Sequence, residues 1–284
     1  MQAAQHGREV NGTDVLRRFH ETVDPRELRG TVITVPVADP LTFNHVSYTT
    51  PGSLDAKNAN MNRVWPGDAE GTMHERMAAR LWDYASEADA IVDLHTGSPD
   101  TLTHVVFTDG HDPSRRLAAA FGTDLLLGEP AGEDADGEWH ERNFAGKLRV
   151  AAATAGIPTI TPELAYHKQL VEPAIESGLR GLCNVLRHLD MLDGDLEPNG
   201  ESVLARNHLG GVQAAESGLF RYEGQVALGE YVTADTPVGT LYDPTTYEVL
   251  QEVEADRDGI LYSIAQEAPV AAGDTLVNVA LVRE

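Results

Sequence analysis

His6 and Glu9 stand three residues apart in Gln5-His6-Gly7-Arg8-Glu9, just ahead of a stretch that reads as an amphipathic helix from Glu9 to about His20. At that spacing an imidazole nitrogen and a carboxylate oxygen converge on one cation. Zinc takes both ligand types, and a catalytic zinc uses three protein ligands and keeps one position open for water. A third ligand must come from elsewhere. His95 closes Ala90-Ile-Val-Asp-Leu-His95-Thr-Gly97, an apolar run that reads as a buried strand delivering a histidine to the carboxyl edge of a sheet. Ligands of α/β sheets bind at that edge. H-x-x-E alone arises often by chance, and its bland reading is a carboxylate favoured in the first turn of a helix.

A hydrolytic metal site also needs a carboxylate that is not a ligand, to take a proton from water and pass it to the leaving amine. Glu163 fits, because it ends the apolar run Gly156-Ile-Pro-Thr-Ile-Thr-Pro-Glu163, a second strand carrying a polar residue at its end. In isolation it would read as a surface carboxylate. Asn62-Arg63 supplies recognition: an arginine fork binds a carboxylate through two parallel hydrogen bonds and an adjacent amide adds direction. Pairing of Arg63 with one of many acidic neighbours competes with that reading. Asp93, two residues before His95 on the same strand, faces the same side and suits a partner that orients the ligand. Tyr166 and His167 are candidates to line a pocket, whereas most of the remaining histidines, such as His45, His104, His111 and His140, read as surface residues.

Positioning these groups takes an α/β fold. Gly30 to Pro36 is a β-branched run that reads as a central strand. Residues 46–61 are rich in Ser, Thr, Pro, Gly and Asn, a loop long enough to be functional. Thr72 with Glu75 gives a capping box for a helix to about Ala85, with Met73, Met77, Leu81 and Tyr84 at helical spacing. Further strands are expected at 103–108 and 124–127, and helices at 113–121, 143–155 and 172–192, with an exposed loop between Gly128 and Gly137. Alternation of strands and helices implies a mixed, mostly parallel sheet with helices on both faces over residues 1–195. Composition shifts to Asp, Gly, Pro and Asn around Asp193 to Gly200. Beyond it, residues 200–284 read as a small all-β capping domain, a barrel-sandwich hybrid, because Val226-Ala-Leu-Gly-Glu-Tyr-Val232 loosely repeats in Val270-Ala-Ala-Gly-Asp-Thr-Leu276.

The chain of 284 residues carries 45 Asp+Glu against 21 Lys+Arg, a formal net charge of -24. Such a surface repels nucleic acid and anionic membranes, and acidic residues spread along the whole chain point to a salt-adapted, solvated surface. The single cysteine, Cys183, lies in an apolar helical pattern and reads as a small core residue. No intrachain disulfide, signal peptide or bilayer-spanning run is present, so a cytoplasmic location is expected. The number of subunits stays open, a homo-oligomer included.

The motifs His6-Gly-Arg-Glu9-x-x-Gly12, Asn62-Arg63-Val-Trp-Pro-Gly67, Asp93-Leu-His95-Thr-Gly97 and Thr161-Pro-Glu163 resemble, in order, those of the succinylglutamate desuccinylase and aspartoacylase family. The likeness runs through nearly the whole chain. It implies a zinc carboxypeptidase-like fold and a deacylase with one Zn2+ per chain held by His6, Glu9 and His95. It further implies Glu163 as general base and acid, and Asn62 with Arg63 as the clamp on the carboxylate of a small N-acyl substrate. Three departures stand out: only five residues precede His6 where relatives have a strand, Tyr48 to Asn60 holds no arginine, so that oxyanion stabilisation must lean on zinc or on an arginine from elsewhere such as Arg142, and Asn60-Met61 stands where aspartate-leucine is common. A zinc carboxypeptidase acting on small peptides and an inactive binding relative are the alternatives. A biotinyl or lipoyl carrier role for the C-terminal part fails, because no lysine follows Lys168.

Overall fold

In the computed structural model, which describes residues 1–97, 100–135, 137–197, 201–207, 210–266 and 268–283, the chain begins with β1 (Gln2–Ala3), α1 (Asn11–Thr22), α2 (Pro40–His45) and α3 (Met73–Ala85). Next come β2 (Ile91–Gly97), β3 (Asp100–Thr101), β4 (His104–Thr108), α4 (Asp112–Phe121) and β5 (Leu125–Glu129). They lead into α5 (Gly137–Glu141), α6 (Leu148–Thr154), β6 (Thr159–Tyr166) and α7 (Glu172–His188). The remainder is strand and turn: β7 (Val203–Arg206), β8 (Val212–Gln213), β9 (Gly218–Tyr222), β10 (Tyr231–Val232), β11 (Pro237–Tyr242), β12 (Val249–Glu254), β13 (Gly259–Ile264), β14 (Pro269–Val270) and β15 (Thr275–Val282).

The sheet runs β1-β2-β6-β4-β5-β7, parallel at every junction except β6 with β4. Successive strand side chains point to opposite faces, and the two faces are used differently. Val92 and Leu94 of β2, Val105 and Phe107 of β4, and Ile160 and Leu164 of β6 face a core built with Val15 and Phe19 of α1, Leu117 and Phe121 of α4, and Ile175 and Leu182 of α7. On the other face Ile91 meets Ala78 of α3 and Leu148 and Ala152 of α6. The same alternation puts Asp93, His95, His104 and Glu163 on that second face. Helices therefore cover both faces of a mixed, mostly parallel sheet, as expected.

The all-β part is stitched onto this sheet. β7 extends it beside β5, and β15, antiparallel to β7, carries it on to β13 and β10. A second sheet, β12-β11-β9-β14, closes the sandwich around Phe220, Val238, Leu241, Leu261 and Leu276. The repeat seen in the sequence is a repeated turn. In Ala227–Glu230 and in Ala271–Asp274 a glycine at positive φ (Gly229, 91°; Gly273, 87°) is followed by a carboxylate that accepts the turn's first N–H. β3 pairs with β13, Thr101 opposite Ser263, and so ties the two parts together at the face that carries His95. No helix among the described residues is long and apolar enough to cross a membrane.

Several expectations need correction. The run Gly30 to Pro36 is an edge segment and not a central strand: only Val35 bridges Gln2, and Ile33 is 50% exposed. Its one neighbour, β1, is two residues long, so β-branched composition had no second strand to pair with. In α3, Glu75 accepts the Thr72 N–H at 2.7 Å as the capping box requires, but the buried residues are His74 and Ala78, and Tyr84 is 50% exposed. The helix expected over 143–155 starts only at Leu148. Gly146 packs on the Arg63 carbonyl so closely that a Cβ there would lie 1.9 Å from it, and this contact holds residues 144–146 in a separate 3-10 turn. Of the supposed exposed loop after Gly128, Gly128, Glu129 and Pro130 are buried. His104 is buried and not a surface residue. Residues 198–200, the end of the expected linker, lie outside the described residues.

Candidate active site

His6, Glu9 and His95 meet. One ligand atom from each lies within 4.8 Å of the others, and all three residues are buried. Glu9 stands before α1 rather than in its first turn, with Oε1 2.8 Å from His6 Nδ1 and Oε2 3.0 Å from His95 Nδ1. The far nitrogen of each ring is taken: His6 Nε2 lies 3.2 Å from Asn60 Oδ1, and His95 Nε2 3.0 Å from Asp93 Oδ2. Those partners fix both rings with Nδ1 toward Glu9, the arrangement by which outer groups orient metal-bound histidines. Asp93 is itself held by Gln5 at 2.7 Å and Gln2 at 3.0 Å. The donor set fits a divalent cation with nitrogen and oxygen ligands. Gly7 is dictated by packing, since a Cβ on it would lie 2.0 Å from the Thr42 backbone of α2.

Buried charge is balanced locally. Burial pushes the Glu9 carboxyl up, but the two imidazoles overcome this and hold it well below the usual carboxylate range. Burial likewise acts against a charged His95, yet Asp93 and Glu9 raise its pKa well above the ordinary value. A proton there occupies the place where a cation would put its charge.

Glu163 lies beside His95 in the β2–β6 register and opposite His104 in the β6–β4 register. Burial pushes its pKa up to about 7, against the pull of His95. Among the described residues its carboxyl takes no hydrogen bond, which leaves it open to the cavity. That cavity, of about 610 Å³, is lined by His6, Glu9, His95, Glu163, Arg63 and Lys147 together with residues of the β-sandwich such as Tyr262 and Asn278. His167 also lines it.

Asn62 and Arg63 sit at the cavity wall with part of their capacity used. Asn62 Oδ1 accepts the Leu148 N–H at 3.0 Å, and its Nδ2 is 3.5 Å from His95 Nε2. Arg63 donates to the Arg142 and Asn62 carbonyls at 2.9 and 2.6 Å and lies over the Phe144 ring. Arg142 lines the same cavity and pairs with Glu138 at 2.8 Å. Three groups escaped the sequence reading: Glu129, Lys147 and Arg149, which form a buried cluster with Arg149 2.6 Å and Lys147 3.1 Å from Glu129 Oε1. Their one signal was the rarity of lysine, three in the whole chain.

The long loop 46–61 is pinned by a buried histidine. His74 Nε2 lies 3.0 Å from Asp39 Oδ2 and 3.0 Å from Thr50 Oγ1, while Nδ1 is 2.5 Å from the Asn58 carbonyl. This holds Tyr48 on the His6 ring, centroids 4.1 Å apart, and Asn60 on His6 Nε2. His74→Ala leaves Asp39 buried without its partner, and is expected to cost about 3–5 kcal/mol. Burial lowers the His74 pKa, but Asp39 outweighs it and raises it above 6.5. The pair's contribution is therefore complete below about pH 6.5 and is lost as pH rises through the raised pKa. Denaturant unfolding of wild type and variant should show a gap that narrows from pH 6 to pH 9; a gap independent of pH would mean that His74 is not charged in the fold.

Residues 1–189 match the family model described as the succinylglutamate desuccinylase/aspartoacylase catalytic domain. An N-alpha-acetyl-L-2,4-diaminobutyric acid deacetylase from Halomonas elongata is 30% identical over 298 residues, covering 98% of this chain and 80% of that protein. Among solved structures, a succinylglutamate desuccinylase/aspartoacylase from Rhodobacter sphaeroides superposes with a TM-score of 0.84 at 22% identity, over 99% of this chain and 85% of that one. The product-bound ectoine utilization protein EutE (DoeB) from Ruegeria pomeroyi gives a TM-score of 0.82 at 23% identity, over 99% and 84%. At these identities the solved structures speak to the fold.

Proposed function

Since the chain belongs to the succinylglutamate desuccinylase/aspartoacylase family, whose members are deacylases of N-acyl amino acids, we propose that it is a zinc-dependent enzyme hydrolysing the amide bond of an N-acylated amino acid. The observation that carries this is the convergence of His6, Glu9 and His95 on one point, with Glu163 beside His95 in the neighbouring strand. Zinc held by those three residues supplies Lewis acidity toward the acyl carbonyl and acidifies water.

The remaining work falls to side chains. Glu163, ionised, takes one proton of the attacking water and returns it to the amide nitrogen as the C–N bond breaks, so the amine leaves uncharged with the acid still protonated. That acid then gives water's second proton to the amine or to solvent, and the products part as carboxylate and ammonium. Burial, which pushes the Glu163 pKa up to about 7, makes it basic enough to take the first proton, and a pKa near neutrality still lets it give that proton back. Arg63 binds the substrate carboxylate, and Asn62, held by the Leu148 N–H, sets the edge of that subsite. Tyr262 and Asn278 of the β-sandwich narrow the cavity, which favours a small N-acyl amino acid over a peptide. The named activity of the Halomonas relative makes N-α-acetyl-L-2,4-diaminobutyrate the first substrate to try.

Zinc content of the purified protein, and hydrolysis of a panel of N-acetyl and N-succinyl amino acids in high salt, test the proposal directly. A protein that takes up no zinc at micromolar concentration and hydrolyses none of the panel would sink it. Arg63→Ala is expected to raise KM about 10- to 100-fold with a smaller change in kcat, from the roughly 1.5–3 kcal/mol of a hydrogen bond to a charged group. Steady-state kinetics check this, and a loss confined to kcat would move Arg63 from binding to chemistry.

A further inference from the structure

The wall of the cavity around Phe144 gathers three cations onto one ring. Around the Phe144 ring stand Lys147 Nζ at 3.2 Å, Arg63 Cζ at 4.5 Å and Arg142 Cζ at 4.7 Å from the centroid. Arg142 is answered by Glu138. Glu129 is claimed mainly by Arg149 at 2.6 Å, and its Oε2 also accepts from Asn207 at 2.9 Å. Lys147 leans on this already occupied carboxylate at 3.1 and 3.2 Å. Arg63 donates to backbone carbonyls and forms no ion pair among the described residues. Lys147 and Arg63 thus share one apolar ring, and the one carboxylate that either of them touches among the described residues, Glu129, is also held by Arg149, on a chain whose net charge is -24.

Holding like charges together in a cavity is unfavourable unless an anion joins them. An ammonium has three donors, and among the described residues Glu129 is the one hydrogen-bond acceptor Lys147 meets. Its remaining N–H groups have the cavity as their outlet. We propose that Lys147 is a substrate-contacting residue which, with Arg63 across the Phe144 ring, binds the carboxylate of the N-acyl amino acid. This rests on the reading that the cavity takes such a substrate. The side-chain type suits this role, because a compact charge on a flexible stem reaches a carboxylate that the Arg63 fork, tied to two carbonyls, meets from one side only. Burial pushes the Lys147 ammonium down to about 7 against the pull of Glu129, with Arg149 and Arg63 lowering it further. An arriving carboxylate reverses that deficit.

Calorimetric titration of the turnover-deficient E163Q protein with N-α-acetyl-L-2,4-diaminobutyrate and with its primary carboxamide tests the assignment. E163Q is expected to prefer the carboxylate by about tenfold or more, the discrimination of one charge-assisted hydrogen bond. Adding K147M should cut that preference several-fold, to what Arg63 supplies by itself, and leave carboxamide affinity unchanged. K147Q, which keeps a donor for Glu129, should do the same and guards against a folding defect in K147M. Preference retained in both variants, or equal weakening of both ligands, overturns the assignment. Hydrolysis of the N-acyl panel by wild type separates the two readings: turnover by wild type with an unaltered preference in the Lys147 variants removes Lys147 alone, whereas no turnover and no binding of either ligand removes both.

Discussion

Replacing His95 with alanine is expected to remove metal binding and hydrolysis together. His95 is one of the three candidate donors, and its Nδ1 lies on Glu9 Oε2 at the point where a cation would sit. Loss of the ring leaves two candidate ligands and a buried Asp93 held only by the side-chain amides of Gln5 and Gln2. The fall in zinc affinity should exceed the 10–100-fold typical of losing a group that merely orients a ligand. Asp93→Asn provides the internal comparison. It keeps the ring but weakens the bond at 3.0 Å that fixes it, so its loss should fall within about 10–100-fold. Metal competition with a chromogenic chelator measures both. Since Asp93 and Glu9 raise the His95 pKa well above the ordinary value, proton and cation compete for one position, and affinity in wild type should climb as pH rises. If the alanine variant binds zinc as wild type does, the ligand set is wrong.

How much of this was legible follows from where each residue sits. His6 and Glu9 announce themselves by local spacing, and His95 and Glu163 by closing apolar runs, because a strand buried on both faces must be apolar until its end. The β6–β4 junction, which brings His104 opposite Glu163, has no such mark, since strand order is a property of the whole sheet. Glu129, Lys147 and Arg149 come from a strand end and from the start of a short helix, 18 and 20 residues apart, and no spacing rule joins them. Lys147 was hidden in an apparently continuous helical pattern. The close approach of Gly146 to the Arg63 carbonyl, a contact between segments about 80 residues apart, breaks that helix and turns Lys147 inward. Composition fared no better at the join of the two parts. β7 lies past the shift in composition, yet it belongs to the α/β sheet through β5.

The departure at Asn60 illustrates what the structure adds to a motif. In the sequence it is a substitution beside Asn62; in the fold its Oδ1 accepts from the Asn62 N–H at 2.9 Å and lies on His6 Nε2. It is thus the group that orients one of the candidate ligands. An amide there in place of a carboxylate leaves one fewer negative charge behind His6, while Asp93 keeps a full one behind His95. Of the two imidazoles, only the one carried by the sheet therefore has a carboxylate on its far nitrogen.

Glu163→Gln is expected to abolish turnover while zinc stays bound. The substitution preserves the size of the side chain and removes its ability to accept and return a proton, and the three candidate ligands are untouched. General acid and base catalysis each contribute up to about 10⁴-fold, and one residue is asked to do both, so kcat should fall about 10³–10⁴-fold with little change in KM. The pH profile follows from the same carboxyl. It must be ionised to take the first proton, and burial sets its pKa at about 7 before any cation is added. A positive charge nearby lowers that value, so the acid limb of wild-type kcat/KM should fall at or below neutrality and disappear from the residual activity of the variant. Stability moves in the opposite sense. A carboxyl whose folded pKa is raised contributes fully while protonated, below its unfolded value of about 4.5, and that contribution drains away as pH rises through the folded pKa. The glutamine variant, unable to ionise, should be the more stable protein above pH 7 in the absence of metal. Zinc analysis, stopped-flow turnover and melting curves on the same preparation read all three. Loss of zinc in the variant would make Glu163 a ligand, and undiminished kcat would assign the proton transfer to another group.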